Sequence, residues 1–160
     1  TLFLSGGYEA GSVMIQLKKV GSKVSVKEVF RLKKTGSQIH APIYHKGYIY
    51  ANFNENANMK KRAKKQGLTC IDLKGKTKWK TGEKPHLNRG NIILINVSLI
   101  ALDGDTGELI LSKATPKSYQ EISRHKILEG KGTKIWSPMA FANGFLVVRD
   151  QNEMKCLKIY

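Results

Sequence analysis

Acidic residues and cysteines are scarce in this chain, and long hydrophobic runs are missing from it. The 160 residues include 12 Asp and Glu against 28 Lys and Arg, which gives a formal net charge of +16. The two cysteines, Cys70 and Cys156, are too few for a disulfide-stapled small fold or a zinc site of four thiolates. The longest apolar runs, such as residues 92–95, are far too short to cross a bilayer. No signal peptide precedes Thr1, so the sequence is silent on export.

The remaining composition is that of a globular chain. Hydrophobic residues make up 41% and charged residues 25%, so the chain can bury a core and is not a disordered polyelectrolyte. The length suits one domain or a piece of a larger one. The sequence therefore predicts a basic, soluble domain.

Short segments with alternating hydrophobic residues recur along the chain, separated by turn residues. In residues 11–17 the side chains of Val13, Ile15 and Leu17 share one face, as in a half-buried strand. Turn dipeptides such as Asn143-Gly144 separate neighbouring runs. About a dozen such runs predict an all-β fold. They are 2–6, 11–18, 24–32, 41–44, 48–53, 68–73, 76–81, 91–95, 99–103, 108–114, 138–141, 145–149 and 154–159.

One segment, 119–128, fits either a helix or a strand. As a helix it would begin at the N-cap Ser118, with Glu121 as the capping-box partner. As a strand it would be an outer strand with mixed faces. We favour the strand because every neighbouring element is predicted to be β.

Internal repetition predicts the architecture. Residues 40–51 align with residues 136–148, so that Pro42 falls on Pro138, 96 residues or two units of 48 further on. Four short strands in a unit of this size are typical of a β-propeller blade. The blades are predicted at 1–34 (partial), 39–82, 88–129 and 135–160 (partial), about three and a half in all, with a basic insertion at 54–66. The chain would then be an arc of a propeller.

The repeated motifs resemble those of the PQQ-like (pyrroloquinoline quinone) propeller family. Residues 101–107 (ALDGDTG), with Asp103, Thr106 and Gly107, match the Ala-Leu-Asp-x-x-Thr-Gly core of that repeat. Residues 70–79 (CIDLKGKTKW) are taken as a second copy, which carries Asp72 and the docking tryptophan, Trp79. Leu111 stands where the first copy would have its tryptophan. Trp136 and Pro138 open what looks like the first two strands of another repeat.

The quinone-dependent enzymes that share this repeat hold their cofactor between a tryptophan and two adjacent cysteines, beside Ca²⁺. No such set of residues is visible here. Cys70 and Cys156 occupy equivalent positions in different blades and are predicted to be small buried thiols. Trp79 and Trp136 are predicted to pack structurally rather than to support a flat cofactor. On the strand of Trp79, lysines 74, 76, 78 and 80 should form the solvent face and Thr77, Trp79 and Thr81 the packed face.

Other candidate sites have simpler explanations. Residues 103–108 (DGDTGE) resemble a Ca²⁺ loop, but a turn in which Asp and Thr side chains bond the backbone explains them. The four histidines lie at no recognisable metal-ligand spacing, and no nucleophile or phosphate-loop motif is present. We therefore assign no catalytic, metal or cofactor residue.

The most prominent surface feature is a run of five cations in the insertion: Lys60, Lys61, Arg62, Lys64 and Lys65. Such a run can bind phosphates or an anionic polymer. The simpler interpretation, which we favour, is a solvated loop extended by like-charge repulsion. Nucleic acid is not favoured as a partner, because no aromatic residues are interleaved with the cations.

Two hypotheses of function follow. The first is a non-catalytic binding scaffold, which by family resemblance would belong to a periplasmic or secreted bacterial protein. Its partners would be the remaining blades of the propeller and another protein or an anionic polymer. The alternative is part of an alcohol dehydrogenase that depends on PQQ and calcium, with an active site mostly outside this segment. The repeat occurs in enzymes and scaffolds alike, so enzyme status stays open.

Overall fold

The structure, a computed structural model, describes residues 1–33, 35–53, 66–130 and 134–159. These ranges contain fourteen β-strands and no helix, which confirms the predicted all-β class. The strands are β1 Leu2–Gly6, β2 Gly11–Val20, β3 Lys23–Leu32, β4 Ile43–His45, β5 Tyr48–Asn52, β6 Leu68–Asp72, β7 Thr77–Lys80, β8 Ile92–Ile95, β9 Ser98–Leu102, β10 Glu108–Lys113, β11 Glu121–Lys126, β12 Ala140–Ala142, β13 Phe145–Arg149 and β14 Met154–Lys158.

The strands form four antiparallel sheets, which we number 1 to 4 along the chain. Each sheet is a meander in which every strand pairs with the next one in sequence. Sheet 2 (β4–β7) and sheet 3 (β8–β11) have four strands each, which confirms the prediction of four-stranded antiparallel sheets. Sheet 1 (β1–β3) and sheet 4 (β12–β14) have three strands each within the described residues. The hairpin residues Asn143 and Gly144 have φ values of 50° and 80°, the left-handed conformation that a two-residue turn of type I′ requires.

The segment that fitted either a helix or a strand contains β11, so the preference for a strand is confirmed. β11 pairs antiparallel with β10 along the edge of sheet 3. Its Arg124 forms ion pairs with Glu108 at 3.1 Å and with Glu121 at 2.9 Å. Charged side chains on an edge strand discourage pairing with another chain.

Successive sheets pack face to face, and each pair of neighbours shares one hydrophobic core. The first core joins sheets 1 and 2, the second joins sheets 2 and 3, and the third joins sheets 3 and 4. The buried residues are Met14, Ile49, Ala51, Phe53 and Ile71 in the first core; Tyr50, Leu68, Cys70, Leu87, Ile92, Leu99, Ala101 and Ile110 in the second; and Ile95, Ile100, Leu102, Leu128, Ile135, Met139, Leu146 and Val148 in the third.

The second strand of sheet 3 shows how one sheet serves two cores. Leu99 and Ala101 of β9 point into the second core, whereas Ile100 and Leu102 point into the third. Because side chains alternate between the two faces of a strand, a sheet covered on both faces needs a continuous apolar run. The sequence SLIAL of β9 meets that requirement.

The two motifs that the sequence presented as copies of one repeat lie in different strands, so that part of the interpretation is wrong. Residues 101–107 run from β9, a second strand, into the turn before β10. Residues 70–79 run from β6, a third strand, into β7, an outermost strand. Leu111 lies in β10 and therefore does not stand where Trp79 stands. Tight turns need Asp and Gly whichever two strands they join, so the motif alone does not fix the strand.

The two cysteines differ in exposure, and the prediction that both are buried is wrong for one of them. Cys70 is fully buried in the second core, where sheet 3 covers it. Cys156 is exposed. It pairs with Val147 just as Cys70 pairs with Tyr50, but no further sheet among the described residues covers that face of sheet 4.

The predicted alternation along β7 is interrupted. The four lysines are exposed as expected, but so is Thr77, which the pattern placed on the packed face. The register shifts so that Cys70 faces Trp79 and Ile71 faces Thr77, which leaves Lys78 as a bulge residue. A bulge adds one residue and therefore reverses the alternation beyond it.

Candidate functional site

The connections between the sheets meet along one edge of the stack, which we call the linker edge. It comprises the linkers 35–42 and 82–91, residues 134–139 of the third linker, and the turn 103–107. β5 ends at this edge, where the Asn52 side-chain amide donates a hydrogen bond to the Gly90 carbonyl at 2.9 Å. Asp72 pairs with Tyr48 at the start of β5 and therefore lies at the opposite edge.

The central linker, 82–91, is bonded to the linkers on both sides of it. Nε2 of His40 lies 3.1 Å from the Arg89 carbonyl oxygen. A carbonyl oxygen only accepts, so Nε2 of His40 carries the proton and donates it. On the other side, the Asn91 side-chain amide donates to the Ser137 carbonyl at 3.4 Å. Three successive linkers are thus joined into one surface.

The centre of this linker is a left-handed turn. Leu87, Asn88 and Arg89 have φ values of 62°, 40° and 64°, a conformation that costs an ordinary residue roughly 1–2 kcal/mol. The surroundings hold the turn in place. The Leu87 side chain is fully buried, and its carbonyl accepts a hydrogen bond from the Gly104 N–H at 3.0 Å. Strain retained by this many contacts is typical of functional sites.

Glycine is required beside the turn because the backbone passes very close to its neighbours. A Cβ placed on Gly90 would overlap the carbonyl oxygen of Leu102. This close approach lets the Leu102 N–H bond to the Asn91 carbonyl at 2.9 Å, which aligns the linker with β9.

Asn88 connects the left-handed turn to the neighbouring turn of sheet 3. Its side-chain amide donates to both carboxylate oxygens of Asp103, each at 3.3 Å. Because Nδ2 is the donor there, Oδ1 accepts, and it lies 2.7 Å from Nδ1 of His86. His86, Asn88 and Asp103 thus form a chain of hydrogen bonds along the linker edge.

Asp103 has the role in its turn that the sequence predicted. Its Oδ1 accepts the backbone N–H groups of Asp105 at 2.9 Å and Thr106 at 2.8 Å. The Thr106 hydroxyl accepts the Glu108 N–H at 3.3 Å, and Gly107 has a φ of 73°. These bonds confirm a turn closed by Asp and Thr side chains.

The same device recurs in sheet 4. Oδ1 of Asp150 accepts the N–H groups of Asn152 at 2.7 Å and Glu153 at 2.8 Å. These hydrogen bonds lower the pKa of Asp150 below its usual value. Asp103 and Asp150 both follow the second strand of their sheets, so they mark equivalent positions of successive sheets.

Arg89 places a cationic group against an aromatic ring of the next linker. Its guanidinium carbon lies 5.1 Å from the centroid of the Trp136 ring, within the range of a cation–π contact. No described residue accepts a hydrogen bond from this guanidinium or forms an ion pair with it. Arg89 and Trp136 are both half-buried. The arrangement presents a cation with unused N–H donors at the surface.

The sequence reasoning missed Arg89, His40 and Asn88. It expected Trp136 to open the last blade and to pack structurally, and the structure places Trp136 in the linker before β12. Pro138 follows in the same linker and is exposed. The five cations of the insertion, Lys60, Lys61, Arg62, Lys64 and Lys65, lie outside the described residues. A signal for the turn was present in the dipeptide Arg89-Gly90, but nothing in the pattern linked Arg89 to an indole 47 residues away.

Two side chains, one in a linker and one in the second core, have shifted pKa values that burial explains. The pKa of His40 lies below its usual value because burial disfavours the imidazolium, and the hydrogen bond to Arg89 only partly offsets this effect. In the second core, burial raises the pKa of the Cys70 thiol to about 11, so this thiol is protonated near neutral pH.

No three His, Cys, Asp or Glu side chains within the described ranges come close enough to share a metal ion. In that same part of the chain, no helix is long and apolar enough to cross a membrane.

No protein-family model matches this chain, and no curated protein matches it significantly in sequence.

Proposed function

We propose that this chain is an arc of a β-propeller of the PQQ-like repeat type and that it serves as a non-catalytic binding scaffold. The observation that carries the proposal is the stacking of four consecutive antiparallel meanders, in which each neighbouring pair shares one core. Consecutive meanders packed face to face are the building plan of propeller blades. By resemblance, the whole protein would be an exported bacterial one, periplasmic or secreted.

The position of Trp79 supports the propeller interpretation. Trp79 lies on the outermost strand of sheet 2, and its indole N–H donates at 2.7 Å to the carbonyl of Thr115, which lies in the connection between β10 and β11 of sheet 3. The centroid of the Trp79 ring lies 5.7 Å from that of Tyr119, which is in the same connection between β10 and β11. Trp79 thus connects one sheet to the next, which is what the docking tryptophan of the PQQ-like repeat does. Residues 101–107 give weaker support, since they occupy a different turn.

The uncovered faces at the two ends of the stack support an arc. On sheet 4, the outward face carries Phe145, Met154 and Cys156, which are all exposed. On sheet 1, it carries Leu2 and Leu4, which are 47% and 50% exposed. Apolar sheet faces of this kind are normally covered. In a propeller, further blades would cover them.

The linker edge is the binding surface in this proposal. It is built from rigidly joined linkers, and loops held by a rigid scaffold are where proteins carry most binding residues. The net charge of +16 would favour an acidic partner by long-range attraction.

Site-specific photo-crosslinking tests the proposal. A photoreactive residue in place of Lys84, which is exposed on the central linker, should give a discrete adduct in the cell envelope of the native host. The same residue in place of Lys78, exposed on the outermost strand of sheet 2, is the matched control and should give none. Equal adducts from both positions would contradict a binding role of the linker edge.

An enzyme assay tests the alternative, part of a dehydrogenase dependent on PQQ and calcium. The whole protein is incubated with PQQ and Ca²⁺ and assayed for dye-linked alcohol oxidation. We expect neither turnover nor retained quinone absorbance. Turnover that needs both additions would replace the scaffold proposal with the enzyme.

A further inference from the structure

We propose that Arg89 binds a carboxylate group at the linker edge and that Trp136 and the left-handed turn hold the guanidinium ready for it. This inference rests on the proposed binding function and names the chemistry of the ligand. The carboxylate belongs either to a small organic acid or to an acidic side chain of a protein partner.

The first step concerns the guanidinium N–H donors of Arg89, which have no acceptor among the described residues. Arginine has five N–H donors in a planar fork, and none of them is satisfied by a cation–π contact as by a hydrogen-bond acceptor. No described residue takes a hydrogen bond from Arg89, and its ring contact with Trp136 at 5.1 Å is its one described side-chain interaction. The edge of the fork therefore remains available to an acceptor from outside.

The second step is that the nearby acid does not neutralise Arg89. Asp103 lies beside Asn88, but its Oδ1 accepts two backbone N–H groups, and both of its oxygens also face the Asn88 amide. Asp105, the other acid of that turn, pairs with Lys134 at 3.0 Å. Both carboxylates have partners, so the positive charge of Arg89 is unpaired within the described surface.

The third step is preorganisation. The Arg89 backbone has a φ of 64°, and its carbonyl is fixed by the hydrogen bond from His40. Its side chain is then held against Trp136, which sits in the linker beyond sheet 3. Contacts from two other linkers thus fix one arginine. Fixing a side chain in advance lowers the entropic cost of binding. Strained backbone segments cluster at sites where such preorganisation is part of the function.

The shape of the site favours a carboxylate over a phosphate. A planar fork pairs with the two coplanar oxygens of a carboxylate through two parallel hydrogen bonds. Phosphate sites instead gather several cations or backbone N–H groups around three oxygens. Among the described residues of the linker edge, Arg89 supplies the one guanidinium, and the Gly90 N–H is already bonded to the Leu87 carbonyl.

The test is an NMR titration that observes the Arg89 side-chain Nε–H signal. The probes are succinate, an N-acetylated pentaglutamate amide and inorganic phosphate, all at one constant ionic strength and pH. Both carboxylate probes should shift the Arg89 signal saturably, and phosphate should bind at least about tenfold more weakly. If the peptide binds more tightly than succinate, the carboxylate comes from a protein segment. If succinate binds more tightly, the carboxylate comes from a small organic acid. No saturable shift, or phosphate binding equal to that of the carboxylates, would overturn the inference.

Variants add a second readout. Arg89→Lys keeps the charge but loses the fork, so carboxylate affinity should fall about tenfold, and Arg89→Gln should abolish the saturable response. The matched control is Arg149→Gln, which removes one exposed arginine at the end of β13 and should change the affinity less than twofold. An equal loss in the control would mean attraction by the overall charge and would refute a site. If Arg89→Gln fails to fold, Arg89→Lys and the wild-type titration still decide whether Arg89 binds a carboxylate.

Failure of this inference is distinguishable from failure of the proposed function. If the adduct at position 84 forms in the wild type but the titration gives no saturable shift, the linker edge binds its partner without a carboxylate at Arg89, and the carboxylate inference falls alone. If the wild type gives no adduct at position 84, the proposed function fails whatever the titration shows.

Discussion

Asp103 is the residue on which two turns depend. It bonds two backbone N–H groups of its own turn and the Asn88 amide of the left-handed turn. Asp103→Ala would leave those donors without an acceptor, at a cost of about 1–3 kcal/mol for a buried donor. We expect a loss of this size in the free energy of unfolding measured by urea denaturation.

Asp105→Ala is the control for that measurement. Asp105 lies in the same turn, and its ion pair with Lys134 is about half exposed, with side-chain exposures of 44% and 51%. Exposed ion pairs contribute about 0–1 kcal/mol. If the two variants lose equal stability, the turn hydrogen bonds of Asp103 are not its main contribution.

The shifted pKa of His40 predicts a dependence of stability on pH. Its pKa is lowered in the folded protein, so the unfolded chain binds the proton first as the pH falls below about 6.5. The contribution is therefore intact above pH 6.5 and is lost as the pH falls through the lower, folded pKa. His40→Gln, which keeps a donor for the Arg89 carbonyl, should flatten the urea-unfolding profile between pH 6.5 and pH 5.

His125→Gln provides the comparison, because His125 is exposed on β11. Asp72, Glu121, Asp150 and Glu153 also have lowered pKa values, but they lose their contributions in a more acidic window. A profile that is unchanged in His40→Gln would show that burial of this imidazole has no effect on folding.

At the residue scale, local chemistry was predictable and contacts between linkers were not. The turn bonds of Asp103 and Thr106 follow from side chains that reach backbone groups two or three residues away. The contact of Arg89 with the Trp136 ring depends on two linkers folding against each other. No pattern of neighbouring residues encodes that distance.

At the scale of elements, Trp79 is the strongest single connection between β7 and the next sheet. Trp79→Ala removes the ring contacts with Tyr50 and Tyr119 and the hydrogen bond to Thr115. We expect a loss of roughly 3–5 kcal/mol in the free energy of unfolding. Trp79→Phe keeps a ring but loses the indole N–H, so its loss should be clearly smaller. Equal losses would assign the effect to the hydrogen bond alone.

The hairpin of β2 and β3 is longer than β1, the other strand of sheet 1, so its far end has no further strand beside it among the described residues. Residues 16–29 are exposed, and Val24 and Val26 are 60% and 63% exposed. Val24→Thr and Val26→Thr should therefore change the free energy of unfolding by less than about 0.5 kcal/mol. Met14→Ala, in the buried part of β2, should cost about 2–5 kcal/mol. A large loss in either valine variant would show that this hairpin is covered in solution.

Strand positions were predictable from the sequence, but which segments of two sheets are equivalent was not. Period-two hydrophobicity located the strands because one face of each is buried. The alignment of residues 70–79 with residues 101–107 failed because the insertion between β5 and β6 left the first motif without a reference in the spacing of its own sheet. The bulge at Lys78 was missed for a related reason: a bulge changes the pairing register and leaves no residue-type signature at this position.

At the scale of the whole molecule, the stack is a one-dimensional array. Sheets 2 and 3 pack on both faces, whereas sheets 1 and 4 pack on one. In such arrays stability is close to a sum of unit and nearest-neighbour contributions. Local opening should then begin at the ends of the stack and spread inward.

Hydrogen exchange of the backbone amides tests this array behaviour. Protection should be highest in β5, β6, β9 and β10 and lower in sheets 1 and 4. Leu146→Ala, in the third core, removes a fully buried side chain at a cost of about 2–5 kcal/mol. It should speed exchange in β12–β14 but leave β1–β3 unchanged, because two sheets and two cores lie between them. Met14→Ala, in the first core, is the mirror variant and should affect β1–β3 and spare β12–β14. If both variants speed exchange equally in all four sheets, the stack opens as one cooperative unit and nearest-neighbour packing does not describe its stability.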